Sequence, residues 1–276
     1  MIPFPEIAEQ SATGSLRDLY ADIRQVTDLP FVNLIYRHLA TQQEVLDWTW
    51  SALRPHFVSG AFAGIALGLR ETVEVMVQAL VGSQWRRRSE LPCAMVAGVV
   101  PVLRSYGLAN SLNLVAFTAL LRRDALQGHA GSDAVPGGAE KEKLPSLPPL
   151  PDLRELGPES VARIHRLNAY ADEERPAMVA SLYRHLALWP DALAQAETML
   201  QPLQQRGVLL GARKSTVDAV QAALLGQALA MPAAPGSFNA GFRTVVTQFA
   251  TVTIPKMLPI GMLLQGAMQT PCQPNR

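Results

Sequence analysis

One triplet of chemically capable side chains occurs twice, as Tyr36-Arg37-His38 and as Tyr183-Arg184-His185. The planar fork of arginine suits two-point binding of a carboxylate. Arg37 and Arg184, facing each other across a pseudo-twofold axis, would hold a small acid between them. Imidazoles ligate metals, so His38 and His185 suggest a second chemistry. A metal site needs three or four convergent ligands, and no His-x-x-x-His or Glu-x-x-His pair supplies them; no metal is expected. The same six residues also suit a purely structural part, with tyrosine packing and arginine and histidine bridging helices. Other chemistries lack their motifs: there is no Gly-x-Ser-x-Gly elbow, no phosphate loop and no GxGxxG. The acidic run Asp172-Glu173-Glu174 and the basic run Trp85-Arg86-Arg87-Arg88 read as solvated helix ends.

The elements that position these residues show a duplication. Val32 to Ala40 matches Val179 to Ala187, 147 residues later, and the five residues from Tyr36 to Ala40 are identical in both. In the same register Leu46 meets Leu193, Leu53 meets Leu200 and Pro55 meets Pro202. A repeat this long is a duplicated domain, since solenoid units run about 20 to 50 residues. Between the copies, residues 128–151 are dense in Pro and Gly, which break helices and favour an extended connector. We expect a first helical repeat over 1–127, a linker over 128–151 and a second repeat over 152–276.

Apolar spacing is helical throughout. Leu16, Leu19, Tyr20 and Ile23 form one face, and Leu46, Trp50, Leu53 and Phe57 another. Leu69, Val73, Met76, Val77 and Leu80 make a third. Ser15-x-x-Asp18, Asp152-x-x-Glu155 and Ser215-x-x-Asp218 resemble helix starts. Gly60, Gly64 and Gly68 suggest close helix packing. Thr244 to Ile254 is rich in β-branched residues, which favour strand, but its counterpart in the first copy is rich in Leu and Ala and reads as helix. The fold class expected is all-α: two similar bundles packed as a pseudo-dimer.

Composition narrows the partners. The chain has 276 residues, 49% hydrophobic and 17% charged, with net charge +1. That balance gives no reason to expect a nucleic-acid or membrane partner. The most apolar run, Leu91 to Leu103, is shorter than the roughly 20 residues a bilayer requires, and the first residues lack the features of a signal peptide. Cys93 and Cys272 are isolated, as expected for a cytoplasmic protein without a disulfide framework. A monomer or a homodimer is expected.

Four stretches resemble the group I 2-haloacid dehalogenases, which act on both D and L substrates. They are Leu29-Pro30-Phe31-Val32 running into Leu39-Ala40-Thr41, Thr118-Ala119-Leu120, Val135-Pro136-Gly137-Gly138-Ala139-Glu140, and Leu186-Ala187-Leu188-Trp189-Pro190. They follow the family's order across nearly the whole chain. The resemblance implies an all-α pseudo-dimer with its active site between the halves, binding a small-molecule carboxylate. It implies a hydrolase in which a carboxylate activates water for direct displacement of halide, with inversion. No metal, organic cofactor or covalent ester takes part.

Carried over by residue, Phe31 stands where that family has Trp, and Leu34 where it has Phe. Asn110 stands on the Asn that holds water if Thr118-Ala119-Leu120 anchors the alignment; Tyr106-Gly107 as anchor puts Leu108 there instead. Ser181 matches the Ser before the catalytic Asp. Leu182 stands at the position of that Asp, and a leucine cannot take a proton from water. Asp172, Glu173 or Glu174 would replace it only if their loop folded over the pocket. Two functions therefore remain: a dehalogenase-like hydrolase of small acids with a relocated base, and a catalytically inactive binding homologue. A peroxidase-like relative with redox cysteines would need the CxxC that this chain lacks.

Overall fold

The computed structural model describes residues 4–82, 91–123, 144–174 and 178–268. Among these residues the regular structure is helical and there is no strand. The basic run at 85–88, most of the expected linker and Cys272 lie outside them.

In chain order the helices are α1 (Gly14–Thr27), α2 (Leu34–Leu39), α3 (Gln43–Val58), α4 (Ala61–Val81), α5 (Cys93–Leu121), α6 (Pro158–Asn168), α7 (Ser181–Leu186), α8 (Pro190–Gln205), α9 (Val208–Ala223), α10 (Ala240–Gln248) and α11 (Ile254–Met268). A π-helical turn, Phe249–Thr253, joins α10 to α11. The offset of 147 residues recurs in these bounds. It relates both ends of α3 to those of α8, and the start of α4 to that of α9. It also relates the span of α5 to that of α10 through α11. Gly60 and Gly207, at φ 80° and 72°, make the same left-handed corner before α4 and α9, which a side chain resists.

The turn at Phe249–Thr253 has a local cause. Pro255 has no N–H for the carbonyl of Thr251 and its ring crowds that carbonyl. The helix widens there instead of breaking, and the β-branched stretch stays helical. The expected faces are buried at Leu16, Tyr20, Ile23, Leu46, Trp50, Leu53, Phe57, Leu69, Val73 and Val77, whereas Leu80 is exposed.

Several local expectations fail. Ser15 lies inside α1 and Ser215 inside α9, so neither begins a helix. Asp152 and Glu155 do form a capping box, but it closes a short 3-10 turn at Leu153–Glu155. A Cβ added at Gly64 or Gly68 would meet nothing, so these glycines do not mediate close packing. α5 is by length and composition able to cross a membrane; here it is the core helix, packed against α4, α10, α11 and the π turn. Cys93 is disulfide-bonded, which corrects the expectation of isolated thiols and removes that support for a cytoplasmic location. Spacing alone cannot foresee such a bond, because pairing depends on three-dimensional proximity.

The acidic run is also not solvated as a whole. Asp172 is buried, 2.5 Å from Lys256 Nζ and 3.7 Å from Arg213. Lys256 also donates to the carbonyl of Asn168 at 2.6 Å. Burial raises the Asp172 carboxyl above its ordinary value and lowers Lys256. Glu173 reaches outward to Arg213 and Lys214. Removing one partner of such a pair leaves a buried charge unbalanced. Asp172→Asn should therefore lose about 3 kcal/mol in urea unfolding at neutral pH. A loss below about 1 kcal/mol would show that the pair is not needed.

Candidate active site

α2 and α7 are two-turn helices, too short to hold their shape alone. Extended segments tie them down. The backbone N–H of Ile7 donates to the carbonyl of Arg37 at 3.0 Å, and His38 Nδ1 donates to the carbonyl of Pro5 at 2.7 Å. In the second copy His185 Nε2 donates to the carbonyl of Pro148 at 2.9 Å, and Arg184 donates twice to the carbonyl of Pro151. Between the straps lies Glu6, which accepts from Arg37 Nε at 2.6 Å and Arg184 Nη1 at 3.4 Å. The two arginines thus do hold a carboxylate, and it is the protein's own. The histidines hold backbone carbonyls.

This clamp sets the ends of α2 and α7 beside one cavity of about 50 Å³. Phe31, Asn33, Leu34, Arg37, Ala180, Ser181 and Leu182 line it from the short helices and their approaches. Tyr106, Asn110 and Asn113 line it from α5, and Phe249, Thr253, Ile254 and Met257 from the π turn and α11. All five residues singled out from the sequence, Phe31, Leu34, Asn110, Ser181 and Leu182, share this cavity. Leu108, the alternative to Asn110, is not among its lining residues.

The lining includes pairs of positions related by the offset of 147: Asn33 with Ala180, Leu34 with Ser181, Tyr106 with Thr253, and Asn110 with Met257. One wall is therefore rich in amides and the other largely apolar. Sequence reasoning missed Asn33, Tyr106 and Asn113. The available signal was the difference between copies, Asn33 against Ala180 inside an otherwise similar block.

The electrostatics favour an anion. Arg37 and Arg184 carry two positive charges against the one of Glu6, and no carboxylate is among the lining residues. Glu9 is engaged elsewhere, by the N–H of Val32 at 2.7 Å and Arg24 at 2.7 Å. Asp172 and Glu173 are absent from the lining. Leu182 is 1% exposed.

Tyr106 packs on Phe31, with ring centroids 4.7 Å apart. Its hydroxyl lies 2.8 Å from His185 Nδ1. Because His185 Nε2 faces a carbonyl, that nitrogen carries the proton, and Tyr106 donates to Nδ1.

Comparison with known proteins follows the same line. No protein-family model matches. A segment of 54 residues is 41% identical to an (R)-2-haloacid dehalogenase of Pseudomonas putida, covering 19% of this chain and 18% of that protein. A D-2-haloacid dehalogenase mutant in complex with D-2-CPA superposes with TM-score 0.73 over 96% of this chain and 94% of that one, at 16% identity. The complex of D-2-haloacid dehalogenase with L-LA gives 0.72 over 96% and 95%, at 15% identity. The chain has the D-2-haloacid dehalogenase fold. The family likeness seen in its residues is thus found again, locally in sequence and across nearly the whole chain in fold.

Within this dehalogenase fold, the protonation of His185 gives a test of the clamp. Burial lowers its pKa, the bond to Pro148 opposes this, and Arg184 and Arg37 lower it further. The folded protein therefore binds a proton here less readily than the unfolded chain, where the ordinary value is about 6.5. The stabilising contribution is complete above that value and is lost as pH falls through it. Tyr106 and Glu6 are the other ionisable groups set around this imidazole and its arginines. Urea unfolding should show the wild type losing more stability between pH 7.5 and 5.5 than His185→Gln does. Equal losses would contradict a neutral His185.

Proposed function

We propose that this chain is a dehalogenase-like protein, built as a pseudo-dimer of two helical repeats, that binds a small carboxylic acid in the cavity between them. We propose further that it does not hydrolyse 2-haloacids. The observation carrying this reading is that the cavity contains Arg37, Asn110 and Ser181 but no carboxylate, with Leu182 where the resemblance calls for the water-activating Asp. A positioned general base contributes about 10² to 10⁴ in rate, and no lining residue supplies a carboxylate to replace it.

One observation favours a relocated base: the hydroxyl of Tyr106 faces both the cavity and His185. Two arginines oppose the imidazolium that such a relay would form. The binding reading therefore stands first.

Halide release from D- and L-2-chloropropionate decides between them. The wild type should release none above background. Leu182→Asp restores a carboxylate in an apolar setting, which raises its pKa; any activity it gains should rise with pH. Turnover by the wild type at about 1 per second or faster would overturn the inactive reading. Loss of that turnover in Tyr106→Phe would then assign the base to the tyrosine–histidine pair.

A further inference from the structure

The cavity has a polarity that a haloacid does not use. Asn113 is 1% exposed and lines it. Its amide nitrogen donates to the carbonyl of Ala109 at 2.7 Å, one turn back on α5. That bond fixes which end of the amide is which, so the side-chain oxygen faces away from the helix carbonyl. This oxygen is buried and receives no hydrogen bond from the protein. The same is true of the side-chain oxygen of Asn33, on the approach to α2. The equivalent positions across the cavity, led by Ala180, offer no such acceptors.

A buried acceptor without a donor is costly, so the cavity favours a ligand that brings a donor. A carbon-bound halogen offers only lone pairs and would leave the oxygens unmatched. An ammonium group would bring donors but also a positive charge, facing Arg37 with no carboxylate in the lining. A hydroxyl brings a donor without charge. At the other end of the ligand, Arg37 Nη2 has only a long contact, 3.5 Å, to Ser181 Oγ, which leaves its protons for a carboxylate. The volume of about 50 Å³ is room for about four waters, which limits the acid to a few carbons.

We infer that the pocket selects short 2-hydroxy acids over 2-haloacids, with the Asn113 side-chain oxygen accepting from the ligand hydroxyl. This rests on the small-acid reading above and names the class of acid. Sites built to bond a hydroxyl reject analogues that lack it far more strongly than apolar pockets reject a change of size.

The test is calorimetric titration of the full chain with D- and L-lactate, propionate, and both enantiomers of 2-chloropropionate. The better lactate enantiomer should bind at least about tenfold more tightly than either 2-chloropropionate, a difference of about 1.4 kcal/mol. In Asn113→Leu, with folding checked by circular dichroism, that ratio should fall to within about twofold. Propionate affinity should stay unchanged, since it never used the acceptor. Persistence of the ratio in a folded Asn113→Leu would overturn the assignment of Asn113. If that variant does not fold, the wild-type ratio decides alone: 2-chloropropionate binding as tightly as lactate overturns the inference. Propionate binding alongside such parity leaves the small-acid reading intact, whereas failure of every acid to bind removes both.

Discussion

The shape of the site depends on one carboxylate. Glu6 lies between Arg37 and Arg184, 2.6 Å from the first and 3.4 Å from the second. Through them it joins the N-terminal strap to two short helices that come from different ends of the chain. Arg37 also donates to the carbonyl of Val32 at 3.0 Å, which fixes the approach to α2. Helices of six residues contribute little stability alone, so their position is set by these bonds and by the burial of Tyr36 and Tyr183 beneath them. With one negative charge against two positive ones, the clamp also leaves the adjoining cavity suited to an anion.

The two walls of that cavity have diverged in chemistry while keeping their geometry. Corresponding positions in the two copies meet there, but one copy presents Asn33, Tyr106 and Asn110, and the other Ala180, Thr253 and Met257. Leu182 belongs to the apolar wall. A carboxylate at that position would sit beside Arg37 and Ser181; leucine turns the same space into a surface that packs against a ligand without reacting with it. The carboxylates nearest in the fold are already committed: Glu6 to the two arginines, Glu9 to Arg24 and a backbone N–H, and Asp172 to Lys256.

Much of the fold was legible because the repeat preserves its punctuation. Gly60 and Gly207 turn the same corner, and Pro55 and Pro202 stand in the same helices. The apolar spacing of α1 and α3 marked the buried faces. Phe31, Leu34, Asn110, Ser181 and Leu182 were legible through the family resemblance, which places residues that spacing alone could not bring together. What stayed hidden was the set of long-range polar bonds. Glu6 meets Arg184 across 178 residues and Lys256 meets Asp172 across 84, and no local pattern encodes either partner. Ser15 and Ser215 misled because a cap motif competes with tertiary context: α9 already begins at the Gly207 corner, which overrides the later serine.

The central claim is that a small acid binds where no carboxylate can activate water. The most direct measurement is a crystal structure of the full chain soaked with lactate, read for the distance from the ligand's C2 to every side-chain carboxylate. The account predicts lactate between Phe31, Asn113 and Leu182, its carboxylate toward Arg37. It predicts every Asp and Glu oxygen beyond the roughly 3.2 Å reach of a general base or its one bridging water. Lactate bound elsewhere on the protein, or a carboxylate oxygen within that reach of C2 or its substituent, would contradict it.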